Sequence, residues 1–297
     1  MSESVKGIVI KEASTSKILI VYHSGSGSTK TICEVLKTRL SKYYIIDMYN
    51  LFHIDNNILN NYDLIVFGFP TYHCQPSKSM MEYAANLPVL LDEKKAVILT
   101  TYGLYPGDSI QMLAKELTKK NIVIIDYCGI RGPASDGVLT LPSFLTLMFN
   151  YEKSAFTKIQ SMEQIIKTTL DTKSDDTYSK IPPSKWYVPL NDIIRPTGER
   201  KYEEMKSKIS VDPQRCKRCC LCARSCGRNC WVYNENGDFQ KNQLSSKNTP
   251  MYNPDNCEFC LKCIHNCPEK AIYFSEKMKD KPRLNKAFYE SLKKKLI

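Results

Sequence analysis

The chain of 297 residues is 42% hydrophobic and 25% charged, enough for a packed core in one large or two ordinary domains, and this excludes global disorder. Its net charge of +11 is uneven, near +1 over residues 1–180 and near +10 over residues 181–297. The basic half is either a dock for an acidic redox partner protein or a solvated face, and no recognition motif points to nucleic acid.

The first 130 residues alternate strand and helix patterns. Residues 17–22 (KILIVY) read as a strand, followed by a Gly/Ser turn and a helix over 29–40. Strands are expected at 43–47, 63–68 (DLIVFG), 96–101 (AVILTT) and 121–128 (NIVIIDYC), with helices at 77–87 and 109–120 and another within 144–170. An added strand is expected at 5–10. Continuous β-branched runs alternating with helices make the fold class α/β, a doubly wound five-stranded parallel sheet with helices on both faces. From about 172 to 202 the chain turns polar and carries Pro182, Pro183, Pro189 and Pro196, which reads as a connecting arm packed through Trp186 and Tyr187. A cysteine-rich unit follows, then a Lys-rich tail, 284–297, with a helical pattern.

The opening segment MSESVKGIVIKEASTSK lacks the apolar region of a secretory signal. The run 138–149 is interrupted by Pro142 and too short for a bilayer. A cytoplasmic chain without a membrane span is expected, and in that reducing compartment grouped cysteines bind metal more often than they pair.

Ten of the 13 cysteines lie between Cys216 and Cys267. Two runs share the C-x-x-C-x-x-C-x-x-x-C spacing: Cys216, Cys219, Cys222, Cys226 and Cys257, Cys260, Cys263, Cys267. Three closely spaced thiolates wrap three corners of a cube, and the fourth corner takes a ligand from another segment. One [4Fe–4S] cluster is therefore assigned to Cys216, Cys219, Cys222 and Cys267, and a second to Cys257, Cys260, Cys263 and Cys226. Zinc, the main competitor, has no use for the third cysteine at this spacing. Gly227 follows Cys226 where proline is usual. Cys220 and Cys230 read as small buried residues, with Cys220 an alternative ligand. The NENGD segment suggests a hairpin between the runs.

Glycines and hydroxyls at 24–29, opening a helix, suit a phosphate. The next two strand ends, Gly68-Phe69-Pro70-Thr71-Tyr72-His73-Cys74 and Thr100-Thr101-Tyr102-Gly103-Leu104-Tyr105-Pro106-Gly107, offer rings and hydroxyls at the edge where open α/β sheets bind ligands. Here the sequence resembles the flavodoxin family, Ser24-x-Ser26-Gly27-x-Thr29 matching its phosphate loop. Over residues 17–150 and 210–275 the chain resembles flavodoxin–ferredoxin fusion proteins, the EFR1 family ferredoxins, with their GFP-x-Y and TYG-x-YPG loops. The resemblance implies a flavodoxin-like FMN-binding domain over 1–172, a linker arm over 173–206, and a small α+β bacterial ferredoxin-like domain over 207–297. It also implies that Ser24, Ser26, Gly27, Ser28 and Thr29 hold the FMN phosphate. Pro70, Thr71, Tyr72 and His73 would flank one side of the ring, and Thr101, Tyr102, Gly103, Tyr105 and Gly107 the other.

Tyr72 is the candidate for ring stacking. His73 is a hydrogen-bond partner for the flavin, a group titrating near neutral pH, or a solvated loop residue. Cys74 reads as incidental, and Cys33 and Cys128 as core. The implied function is electron transfer between FMN and the clusters. An FMN-dependent reductase of a quinone or enone, fed by the clusters, and an iron–sulfur redox sensor are the alternatives.

Overall fold

The computed structural model describes residues 16–142, 149–172, 179–183, 199–232 and 249–297. The expected strand at 5–10, the packing of Trp186 and Tyr187 and the turn at 234–238 lie outside the described residues.

Strands β1 (Lys17–Tyr22), β2 (Ile45–Asn50), β3 (Leu64–Tyr72), β4 (Gln75–Pro76), β5 (Lys94–Tyr102) and β6 (Ile122–Arg131) build the main sheet. Five run parallel in the order β2-β1-β3-β5-β6, while β4 turns back antiparallel on the end of β3. Edge strand β2 starts later than the 43–47 reading because Tyr44 is drawn into the core and Ile45 is the residue that faces Lys17 of β1. β3 outruns its expected end at Gly68. Phe69 and Pro70 still pair with Thr100 and Thr101, and Thr71 and Tyr72 then pair with Pro76 and Gln75.

Successive residues of β1 and β3 point to opposite faces, and both faces are covered, so the strands read as unbroken apolar runs. Ile18, Ile20, Leu64 and Val66 pack with helices α1 (Ser28–Leu40) and α5 (Ala155–Thr172). Leu19, Val21, Ile65 and Phe67 face helices α2 (Lys78–Ala85) and α3 (Ser109–Thr118). Each of these fully buried side chains contributes roughly 1.5–3 kcal/mol. A short helix α4 (Gly137–Thr140) follows β6. Residues 179–183 run along the β6 edge, where the Lys180 amide donates to the Ile124 carbonyl at 2.6 Å. Residues 199–207 are helical, so the end of the expected linker arm is a helix.

Beyond it lie β7 (Ser210–Val211), α6 (Leu221–Ser225), β8 (Trp231–Val232), β9 (Met251–Tyr252), α7 (Lys262–Asn266), β10 (Ile272–Tyr273) and α8 (Lys286–Lys293). β7 pairs with β10 and β8 with β9, both antiparallel. Trp231, Phe259, Ile264, Phe274 and Leu284 form a third core that also takes in Ala134, Val138 and Leu139 after β6. The Lys-rich tail docks as α8 onto α1: Leu296 joins the α1 core and Lys293 pairs with Glu34 at 2.8 Å. No helix among the described residues is long and apolar enough to cross a membrane.

Candidate functional site

The carboxyl ends of β1, β3 and β5 surround a cavity of about 330 Å³. Ser24, Ser26, Ser28, Thr29, Pro70, Thr71, Tyr72, His73, Thr101, Tyr102, Gly103 and Tyr105 line it. Gly27 and Gly107 stand behind the wall and shape it. Gly27 caps α1 with φ 141°, and Gly107, at φ 57°, lies so close to Cys74 that a Cβ would meet its carbonyl oxygen at 2.2 Å. Cys74, which the sequence reading set aside, also lines the cavity. That reading missed residues 133–137, Thr140 and Leu141 after β6, and Tyr202, Phe259 and Leu261 from the C-terminal half. The first of these had a signal, since the loop after β6 leaves the same sheet edge. The others come from over a hundred residues away, and local pattern carries no trace of them.

The loop hydroxyls are held in place. Thr29 hydrogen-bonds with Thr101 at 2.8 Å, the Ser24 oxygen accepts from the Lys30 amide at 3.3 Å, and Tyr151 donates to the Ser28 carbonyl at 2.8 Å. Among the described residues no lysine or arginine lines the cavity. An anion here is met by hydroxyls and by the N-terminus of α1, whose cap residue Gly27 has no side chain to compete.

His73 and Cys74 form the two-residue turn between β3 and β4, both left-handed at φ 51° and 64°. His73 packs on Tyr202 with ring centroids 3.5 Å apart, and its Nδ1 has no partner among the described residues. That unpartnered atom beside hydroxyls and aromatic rings fits a flavin in the cavity. Burial pushes the imidazole down to about 4, against the opposing pull of Asp136 and Glu203, so it is neutral at pH 7 and does not titrate near neutrality as the sequence allowed. The unfolded chain takes up this proton near pH 6.5, the folded chain only near 4, so acidification favours unfolding. Between pH 6.5 and 5 the wild type should lose roughly 1–2 kcal/mol more stability than His73→Asn. Equal pH slopes in denaturant titrations would refute this.

Two further cavities are lined by the predicted cysteine quartets. Cys216, Cys219, Cys222 and Cys267 line one, with Cys220. Cys226, Cys257, Cys260 and Cys263 line the other, with Cys230. None of the 13 cysteines forms a disulfide, and Cys220 and Cys230 are buried. The two loops repeat one backbone pattern: Arg218 and Cys220 in the first match Phe259 and Leu261 in the second, all with φ between 53° and 61°. Amides aim at sulfur in the same way, Cys230 N–H to Cys226 Sγ at 3.4 Å and Ala271 N–H to Cys267 Sγ at 3.3 Å. Among the described residues no three His, Cys, Asp or Glu side chains converge on one point as a single metal ion requires. A four-iron cluster holds its sulfurs further apart than one ion does, and converging N–H groups suit thiolates ligating it.

The second quartet is fastened to the α/β unit. Glu258, between Cys257 and Cys260, lies 3.0 Å from His23 Nε2 with both side chains 3% exposed, and accepts from the Ser79 amide at the start of α2 at 3.0 Å. His23 Nδ1 meets the Ser77 hydroxyl at 2.8 Å. Arg228 pairs with Glu82 of α2. Gly227 packs under Phe52, where a Cβ would lie 2.1 Å from the ring. This contact accounts for the missing proline after Cys226. Ser24 and Leu261 line both the cavity at the strand ends and the second-quartet cavity.

Residues 19–127 match the family model described as a flavodoxin domain. Among solved structures the chain is similar to a flavodoxin from Streptococcus pneumoniae TIGR4, at 16% identity and TM-score 0.40, covering 54% of this chain and 100% of that one. It is also similar to oxidised Flavodoxin 2 from Bacillus cereus, at 16% identity and TM-score 0.41, over 52% and 99% of the two chains. No curated protein matches the chain. With the parallel order β2-β1-β3-β5-β6, the family match makes residues 19–127 a flavodoxin-like domain, a fold suited to FMN-binding electron transfer.

Proposed function

We propose that the chain is an electron carrier joining FMN in the flavodoxin-like domain to two [4Fe–4S] clusters held by the two cysteine quartets of a ferredoxin-like unit, which begins near residue 207. One observation carries the reading: two cavities each lined by the four cysteines that the spacing pairs, the second sharing Ser24 and Leu261 with the cavity at the strand ends. When bound, FMN exchanges one or two electrons and a cluster exchanges one, so the pair interconverts the two kinds of step.

The residues divide the work. Hydroxyls of Ser24, Ser26, Ser28 and Thr29 would hold the phosphate, and residues 70–73 and 101–105 the ring. Phe259 and Leu261 exclude water between the flavin cavity and the second quartet. The first quartet faces outward, since Cys219 and its neighbours Lys217 and Arg218 are exposed. That basic rim suits an acidic redox protein. The Tyr202 hydroxyl, which also lines the cavity, donates to Asp136 at 2.9 Å.

Anaerobically reconstituted protein should contain about eight irons and about one FMN per chain. Two zinc ions and no flavin would refute the reading.

A further inference from the structure

Tyr289 sits on α8, 263 residues beyond the phosphate loop, and its hydroxyl lies 2.8 Å from that of Ser26. The ring is buried, 4% exposed, and packs against the loop: a Cβ on Gly27 would come within 2.6 Å of its Cδ2. The placement is fixed from several sides. Asn285 caps α8 by accepting from the Phe288 amide at 3.1 Å, its carbonyl accepts from the Tyr289 amide at 3.2 Å, and Lys293 ties the helix to Glu34 of α1 at 2.8 Å. No charged side chain of the described residues stands between Tyr289 and the loop in these contacts. The helix therefore presses one polar atom, a phenol oxygen, onto the Ser26 hydroxyl and beside the Ser28 amide, so it can donate to the first while accepting from the second.

A serine hydroxyl has one proton to give and two lone pairs to accept with. Without an anion either partner can donate. An anion in the loop accepts only, so it takes the Ser26 proton as a hydrogen bond, and Tyr289 is left to donate to the Ser26 oxygen. The two bonds then run in one direction and polarise each other. We infer that Tyr289 is a positioning residue for the flavin phosphate: the C-terminal helix orients Ser26 for donation to an anion, so the phosphate site is complete only when the end of the chain has docked. This inference rests on FMN as the flavin bound.

The experiment measures dissociation constants of FMN and of riboflavin, which lacks the phosphate, on the full-length chain with its metal content intact. Tyr289→Phe keeps the ring and removes only the hydroxyl. It should weaken FMN about 5- to 10-fold and leave riboflavin within about twofold of wild type. Ser26→Ala should produce a phosphate-specific loss of its own, and adding Tyr289→Phe to it should cost nothing more, because the shared bond is already gone. Equal losses for FMN and riboflavin, unchanged FMN affinity, or additive losses in the double variant would each overturn the inference while leaving FMN binding standing. A wild type that binds neither flavin would overturn the FMN reading and this inference together.

Discussion

Glu258→Ala should cost the folded chain roughly 2–5 kcal/mol, because it leaves two buried polar groups, the His23 ring and the Ser79 amide, without their carboxylate partner. The carboxylate lies in the second cysteine loop, yet every contact described for it is with the flavodoxin-like domain: His23 at 3.0 Å and the Ser79 amide at 3.0 Å. Burial alone would raise its pKa, but His23 and the Ser79 contacts outweigh this and hold the carboxyl down to about 2. Alanine strands His23 at 3% exposure and leaves the first amide turn of α2 without its acceptor. In anaerobic thermal unfolding the midpoint should fall by about 10 °C. Glu258→Gln keeps an acceptor for Ser79 but no charge, so it should fall between the two. A midpoint for Glu258→Ala within about 2 °C of wild type would mean that the two units are not fastened here.

What the sequence disclosed follows a physical division. β1 was legible to the residue because four consecutive apolar residues, Ile18 to Val21, buried on both faces, leave no amphipathic alternative, and α3 began where Ser109 opens its first turn. β2 and the end of β3 were not. β2 is an edge strand whose limits are set by pairing with β1, and β3 runs on past Gly68 through Pro70, where β5 and β4 still supply partners. The same holds at the site. Residues contributed by the loops after β1, β3 and β5 were readable, since those loops carry their own glycines and hydroxyls. Tyr202, Phe259, Leu261 and Tyr289 reach the cavity or its loop through tertiary docking of segments with other local tasks. Phe259 and Leu261 lie between cysteines of the second run, and Glu258 of the same loop holds it against the flavodoxin-like domain through His23 and the Ser79 amide.

Cys267→Ser should remove about half of the iron and expose three cysteines that lie some fifty residues upstream. The reason is the crossed pairing. Cys267 closes the run that begins at Cys257, but it lines the cavity of Cys216, Cys219 and Cys222, while Cys226 lines the cavity of Cys257, Cys260 and Cys263. The Ala271 amide directed at Cys267 Sγ at 3.3 Å stabilises a thiolate there, and a serine hydroxyl, protonated at neutral pH, is a poor replacement. Iron should drop from about eight to about four per chain. Anaerobic alkylation followed by mass spectrometry gives the sharper result. Cys216, Cys219 and Cys222 should become reactive in Cys267→Ser, with Cys257, Cys260 and Cys263 still protected, and Cys226→Ser should give the reverse. Labelling of Cys257, Cys260 and Cys263 in Cys267→Ser would mean that each run keeps its own fourth ligand. The two variants also differ in consequence for the flavin. Only the Cys226 quartet shares Ser24 and Leu261 with the flavin cavity, so Cys226→Ser should weaken FMN retention, whereas Cys267→Ser should leave it unchanged.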